Sequence, residues 1–250
     1  MEQKYYNSSF YDDQQLGSYN AAKEIFPVLF EYIKPASVLD IGCGVGTWLS
    51  VLQKDYQISD ILGVDGDYVN RDKLYIPPDK FQSHDLKTYF RVPKKFDLAI
   101  SVEVGEHLPD SSADAFVKSL TDAADVVLFS AALKGQGGTF HINEQYPEYW
   151  AEKFLKQDFI PIDCIRKKIW HNDKIEVWYR QNILLFIKKP VYEERFADKL
   201  GKEKECTDPK FLTRIHPSLF SYYSDTTHRL RTYGGFINYR LYLLKKLLKK

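Results

Sequence analysis

Short apolar runs alternate with longer amphipathic stretches from about residue 20 to residue 190, the pattern of strands and helices taken in turn. Residues 20–33 read as a helix leading to Pro35, residues 37–41 as a first strand and 46–54 as the helix after it. A second strand follows over 60–64. Pro77-Pro78 keeps the next segment from being a long helix, and Phe81 to His84 is a short third strand leading to Asp85. Residues 96–101 are a fourth strand, 111–121 a helix and 126–130 a fifth strand. A helix rich in Tyr and Trp is expected over 143–157, a sixth strand over 159–165 and a last strand over 182–188. This alternation predicts an α/β, Rossmann-like doubly wound fold, a mostly parallel sheet of about seven strands with helices on both faces.

After Pro190 the pattern changes. Residues 191–210 are charged and carry no sheet signal, so they read as a linker or a peripheral helix. Turn residues and aromatics fill 211–235, and 236–250 reads as a helix. The expected division is a sheet domain over 1–190 and a helical, basic C-terminal extension over 191–250. From Arg229 onward the chain has Arg229, Arg231, Arg240, Lys245, Lys246, Lys249 and Lys250, and no acid. Ile237, Leu241, Leu244 and Leu248 recur at helical spacing, which makes a basic amphipathic helix. Such a helix can lie on an anionic membrane surface, dock on a partner, or pack on its own domain with its lysines in water.

Charge and cysteine content narrow the classes. A net charge of +1 over 250 residues gives no global field for nucleic acid or membrane, so any such attraction has to come from a local patch. Cys43, Cys164 and Cys206 are odd in number and far apart, with no CxxC pair. That argues against a disulfide framework and a cysteine-rich zinc site, and it fits a reducing cytosol. The first residues are polar, without a signal-peptide core. A cytoplasmic protein, peripheral at the membrane if its tail binds there, is the expectation.

The chemistry concentrates in residues 37–48, SVLDIGCGVGTW. A buried strand runs into a glycine-rich turn and then a helix, with the spacing Asp40-x-Gly42-x-Gly44-x-Gly46. Such glycines let the backbone turn tightly and bring its N–H groups against a ligand. The spacing departs from the dinucleotide fingerprint, whose third glycine falls one residue later. Asp40 precedes the glycines, where it either accepts a hydrogen bond from a ligand ammonium or anchors the turn. Asp65 ends the second strand, a position suited to the two hydroxyls of a ribose. Asp40, Asp65, Asp85, Glu103 and Ser130 all fall at the carboxyl ends of expected strands, where open α/β sheets bind ligands.

The glycine motif and Asp65 resemble motifs I and II of class I S-adenosylmethionine-dependent methyltransferases. Residues 96–108, FDLAISVEVGEHL, look like the following region of relatives of the ubiquinone-biosynthesis O-methyltransferases. Residues 128–150, from LFSAA to GQGGTFHINEQYPEYW, are similar to a bacterial and viral group of small methyltransferases, many associated with glycan assembly. The resemblance spans roughly residues 5 to 190. It implies S-adenosylmethionine as cofactor, with Gly42, Gly44 and Gly46 under its methionine part and Asp65 on the ribose. It also implies Asp85, followed by Leu86, at the adenine amino group; Asp85 is alternatively a turn or cap acid. Trp48 reads as packing.

Methyl transfer to an alcohol needs a nucleophile held in line with the breaking bond, and the alcohol has to lose a proton. A histidine base or a divalent metal serves that need. Glu103, Glu106 and His107 follow the fourth strand, and His141 follows the fifth in a glycine-rich loop that reads as a lid. Two carboxylates and two imidazoles suit Mg²⁺ or Mn²⁺. Two other readings stay open: His107 or His141 as a metal-free base while the glutamates cap the next helix, and Glu103 and His107 only packing the loop; Glu106 is counted with the two histidines among the candidate catalytic residues. His171 is a weaker candidate base. The expected function is an O-methyltransferase for a sugar hydroxyl of a glycan or glycan precursor. The alternatives are a phenol- or quinol-like small molecule, the 2′-hydroxyl of RNA, or a non-catalytic cofactor-binding scaffold. RNA is disfavoured because no basic stripe with interleaved aromatics crosses the sheet domain.

Overall fold

Seven strands form one sheet in the order β3-β2-β1-β4-β5-β7-β6. They are β1 (Ser37–Ile41), β2 (Asp60–Asp65), β3 (Phe81–Ser83), β4 (Leu98–Val102), β5 (Val126–Ser130), β6 (Phe159–Ile162) and β7 (Leu184–Lys188). The computed structural model describes residues 8–92, 94–201 and 208–221. The first five strands pair in parallel, and β7 runs antiparallel between β5 and β6. The expected doubly wound α/β sheet is therefore the fold of the chain.

Each central strand is buried on both faces, because successive side chains point to opposite sides. Val38, Ile100, Leu128 and Leu185 enter one core with α1 (Ser8–Phe30) and α2 (Thr47–Tyr56). Their neighbours Leu39, Ala99, Val127 and Leu184 enter the other, with α3 (Ala113–Ala123) and α4 (Pro147–Leu155). In the second core Phe154 of α4 stacks on Phe186 of β7, ring centroids 3.9 Å apart.

Element boundaries differ from expectation where local chemistry overrides the apolar pattern. α1 begins at Ser8, well before residue 20, across a polar stretch that has no apolar stripe. α4 starts at Pro147 rather than at residue 143. Proline lacks an N–H and has its φ already helical, so it suits the first turn, and Asn143 to Tyr146 stay extended or irregular. Two short helices, α5 (Arg166–Ile169) and α6 (Val177–Asn182), lie between β6 and β7, where no helix was expected.

The chain divides into compact units Met1–Arg214 and Ile215–Lys250. The first unit passes the boundary expected at residue 190. Tyr192 of α7 (Lys189–Arg195), Phe196, and Leu200 of α8 (Ala197–Leu200) are buried in its core, as is Leu212. Arg166 binds the segment that follows. It is fully buried, pairs with both oxygens of Asp163 at 2.8 and 2.7 Å, and donates to the carbonyls of Gln181 and Leu212 at 3.0 and 2.8 Å. Of the second unit, residues 215–221 are described. The basic helix expected over 236–250, and most of the extension with it, lies outside the described residues. Among the described residues no helix is long and apolar enough to cross a membrane.

Candidate active site

The turn after β1 is built by three glycines with left-handed φ values of 89°, 54° and 83° at Gly42, Gly44 and Gly46. Two of them also face close neighbours. A Cβ on Gly42 would lie 2.3 Å from a Val104 methyl, and one on Gly46 would lie 2.8 Å from Ile76. Gly44 is different: nothing stands within 4 Å of where its Cβ would be. It borders a cavity of about 430 Å³, within the size range of small-ligand sites. Asp40, Gly42 and Glu103 also line this cavity, with Trp48, Tyr68 and Tyr179.

Asp65 holds the turn in place. One carboxylate oxygen accepts from the amide of Gly44 at 2.7 Å, the other from the amide of Gly66 at 2.7 Å. The Tyr68 hydroxyl donates to that second oxygen as well. Asp40 lies beside the cavity and is almost fully buried. Burial raises its pKa well above the usual carboxylate range, and the negative charge of Asp65 adds to the rise.

Asp85 and Leu86 lie elsewhere. Asp85 is exposed in a turn after β3, where its carboxylate accepts from the amide of Lys87 at 3.1 Å. Leu86 is buried in the second core. Neither lines the cavity. Trp48 packs edge-on against Phe26 and Tyr179 and donates to Ser18 at 3.0 Å, so it is a packing residue that also forms cavity wall.

The residues expected to carry the chemistry converge just beyond β4. Glu106, His107 and His141 each offer a ligand atom, and these atoms all lie within 4.8 Å of one another. The two imidazoles meet edge-on, centroids 4.9 Å apart. Glu106 is fully buried and its carboxylate makes no well-formed hydrogen bond; the backbone of Glu106 and Ala132 and the Glu103 carboxyl are the polar groups that bear on it. Its pKa is raised well above the carboxylate range, first by burial and then by the charge of Glu103. The pKa of His107 is lowered by burial and by His141, while the Phe140 backbone and then the charge of Asp65 oppose that shift.

Glu103 does not join the compact trio. Its backbone is left-handed at φ 56°, and its amide donates to the carbonyl and hydroxyl of Ser130 at 3.0 and 3.1 Å. Its carboxylate accepts from Asn182 at 3.2 and 3.4 Å and from Gln136 at 3.4 Å. Burial raises its pKa, and the hydrogen bonds from Ser130, Asn182 and Gln136 oppose the rise.

The loop holding His141 is pinned rather than free. Ile142 and Asn143 donate their amides to the Glu106 carbonyl at 2.9 and 3.0 Å. Glu144 bonds the His141 ring at 2.9 Å and accepts from the Gly135 amide at 2.9 Å. The expectation of a lid therefore gives way to an anchored loop. His171 is exposed on the connection after α5 and is not among the cavity-lining residues.

Sequence reasoning missed Tyr68, Gln136 and the pair Gln181-Asn182. β7 is antiparallel, so its beginning lies at the carboxyl ends of the parallel strands. Leu184 is registered opposite Phe129, and the amides just before β7 thereby reach Glu103. The signal available was two adjacent amide side chains just ahead of the apolar run Ile183 to Ile187, a placement that demands buried partners.

Sheet order, glycine turn and strand-end acids together define a Rossmann-like ligand-binding enzyme fold. A family profile described as a methyltransferase domain matches residues 16–160, more than half of the chain. The chain belongs to the class I S-adenosylmethionine-dependent methyltransferase family. It is similar to the 2-methyl-6-phytyl-1,4-hydroquinone methyltransferase of Synechocystis sp., 35% identical over 88 residues. That match spans 34% of this chain and only 27% of the relative's length. Among solved structures, the methyltransferase domain of bacterial CtHen1-C shares the fold at a TM-score of 0.51 and 20% identity, covering 68% of this chain and 98% of that domain. The plantazolicin methyltransferase BpumL, solved with SAH, covers 72% of this chain and 89% of its own at 16% identity and a TM-score of 0.49.

Proposed function

We propose that this protein transfers a methyl group from S-adenosylmethionine to a hydroxyl of a small acceptor, with a divalent cation held by Glu106, His107 and His141. One observation carries the reading: a fully buried carboxylate without a well-formed hydrogen bond sits beside two imidazoles, two residues from Val104, which packs on Gly42 of the glycine turn. An uncompensated buried carboxylate is costly, and a cation among these three side chains would relieve it. Of the two ions expected, Mn²⁺ suits a set of one carboxylate and two imidazoles better than Mg²⁺, which prefers oxygen ligands throughout. Glu103, held by Asn182 and Gln136, would support the site from its edge.

The cavity residues fit the cofactor. Gly44 leaves its wall bare, and Asp65 presents a carboxylate already organised by two amides. Asp40, Gly42 and Gly44 would hold the cofactor from the cavity wall; Gly46, Asp65, Asp85 and Leu86 do not line the cavity, and of these Asp65 is bonded to two residues that do, Gly44 and Tyr68. Bound there, S-adenosylmethionine supplies a methyl carbon on a positively charged sulfur. The chain's own part is to orient the acceptor hydroxyl: with a cation held by the three side chains, the cation would lower the pKa of that hydroxyl, and without one His107 or His141 would take up its proton.

A sugar hydroxyl is the acceptor class favoured by the sequence resemblance, and membrane or glycan-assembly contact through the tail would accompany it. A phenol is the second reading, favoured by the hydroquinone named for the Synechocystis relative. Calorimetry should detect binding of S-adenosylhomocysteine and none of NAD; no heat with S-adenosylhomocysteine refutes the cofactor assignment. Mn²⁺ titrated into the protein and followed by electron paramagnetic resonance should bind, and His107→Ala should abolish that binding. If Mn²⁺ stays free while S-adenosylhomocysteine binds, the histidines act without metal.

A further inference from the structure

His141 is held by two neighbours that do not belong to the trio. Its Nδ1 lies 2.9 Å from one carboxylate oxygen of Glu144, and the other oxygen of Glu144 accepts from the Gly135 amide at 2.9 Å. An ionised carboxylate only accepts, so the hydrogen of the first bond sits on Nδ1. A neutral His141 is then left with Nε2 as its one lone-pair nitrogen. The two side chains are only 13% and 18% exposed, so water competes poorly for the bond between them.

Gly138 provides the seat for the ring. A Cβ there would lie 2.3 Å from both Cε1 and Nε2 of His141 and 2.7 Å from Nδ1. Gly138 is not among the glycines with positive φ, unlike Gly135 and Gly137 in the same loop. Its φ therefore does not call for glycine, and the imidazole lying against it does. The partner histidine is treated alike: the His107 ring donates to the Phe140 carbonyl, and Phe140 stands at a left-handed φ of 60°. Histidines that hold a metal through one nitrogen commonly donate from the other to a carboxylate or a carbonyl, which fixes tautomer and ring direction.

We infer that Glu144 and Gly138 are positioning residues for His141: the glycine seats the ring and the carboxylate locks the Nδ1–H tautomer, so that Nε2 is the atom presented to a cation or to the acceptor's proton. This rests on the methyltransferase reading for the use made of Nε2, and not for the tautomer itself. The same arrangement serves a cation and a metal-free base, because each needs a bare ring nitrogen. Neither residue lines the cofactor cavity.

The test is heteronuclear NMR of the full chain with nitrogen-labelled histidine, at a pH above the histidine range so that the rings are neutral. His141 is assigned from the signals lost in His141→Ala. In the native protein Nδ1 of His141 should carry the hydrogen and Nε2 should not. Free imidazole side chains prefer the opposite tautomer, so Glu144→Ala should move the hydrogen to Nε2. Gly138→Ala should do the same by pushing the ring off the carboxylate. S-adenosylhomocysteine affinity should stay within about twofold in both variants, which shows that each is folded, and either variant alone decides the matter if the other does not fold. Mn²⁺, followed by electron paramagnetic resonance, should bind Glu144→Ala about tenfold or more weakly. An Nε2–H tautomer in the native protein, an Nδ1–H tautomer unchanged in the folded variants, or Mn²⁺ affinity unchanged in Glu144→Ala overturns the inference. A native protein that binds no S-adenosylhomocysteine would instead overturn the methyltransferase reading, and one that binds no Mn²⁺ the cation; the tautomer decides the role of Glu144 and Gly138 in both cases.

Discussion

Gly42 and Gly44 stand two residues apart in one turn, both with left-handed backbones, yet replacing each by alanine should have different consequences. At Gly44 the cost is conformational alone, since nothing lies within 4 Å of the new Cβ. An L-residue in this region loses about 1–2 kcal/mol, which for a unit of this size lowers the melting temperature by about 2–8 °C. At Gly42 the same conformational cost applies, and the new methyl also lands 2.3 and 2.7 Å from the two methyls of Val104. Val104 is buried and β-branched, so it cannot swing aside freely. Overpacking of this kind adds about 1–3 kcal/mol, for a total of about 2–5 kcal/mol and a drop of about 4–20 °C. The collision can be isolated. Val104→Ala removes both offending methyls and leaves the Val104 Cβ at 3.0 Å. The double variant should then be more stable than the sum of the single effects by about 1–3 kcal/mol. Thermal melts of the four proteins measure all of these quantities. Equal losses at Gly42 and Gly44, or strict additivity with Val104→Ala, would refute the packing argument. The ligand readout should run the other way: Gly44→Ala, whose methyl stands on bare cavity wall, should lose S-adenosylhomocysteine affinity while remaining the more stable variant.

Tyr68→Phe should tighten S-adenosylhomocysteine binding by up to about tenfold, because it removes a hydroxyl that competes for one oxygen of Asp65; unchanged or weaker binding in calorimetry would count against Asp65 as the ribose acceptor. Arg166→Met should cost about 3–5 kcal/mol in urea denaturation, since it strands the buried Asp163 and two carbonyls, with the pair from Arg214 to Asp163 at 3.0 Å holding the loss to the low end; a loss under about 1 kcal/mol would contradict the role given to this pair. Asp40 has a folded pKa raised by burial and by Asp65, so its contribution to stability is fully present below its unfolded pKa and is lost as pH rises through the folded value. Asp40→Asn, which cannot ionise, should therefore gain on the native protein as pH rises from acid to neutral, and a melting-temperature difference that is flat over that range would exclude a raised pKa.

The strands were legible because the central ones carry apolar residues buried on both faces, from Leu98 to Ile100 and from Val126 to Phe129. The glycine turn was legible for a local reason too: the acid, the glycines and the strand lie within ten residues, and the backbone demands glycine there. Glu106 and His107 are adjacent in the chain, and the strand-end rule carries His141 toward them. Helix limits were read less well, since they depend on single residues such as Pro147 or on a polar stretch such as the start of α1, where apolar periodicity is silent. Three features had no sequence signature strong enough to read. The left-handed φ of Phe140 is a backbone property. The lack of a well-formed hydrogen bond at the Glu106 carboxylate is an absence that only the packed structure reveals.

The third was the amide support of Glu103, and the reason lies in topology. A run of parallel strands offers its carboxyl ends to a ligand, so sequence reasoning searches for chemistry after each strand. β7 reverses direction, and its chemistry therefore comes before it, at Gln181 and Asn182. Asn182 bonds both Glu103 and Gln136, and the Gln136 side chain in turn accepts from Asn182 at 2.9 Å while receiving the Leu133 amide at 3.2 Å. One residue ahead of an antiparallel strand thus links the end of β4 to the loop after β5, the two segments that carry Glu106, His107 and His141. Replacing Asn182 should be felt in the spacing of that trio although it touches none of them, and the direction of a single strand is what places it there.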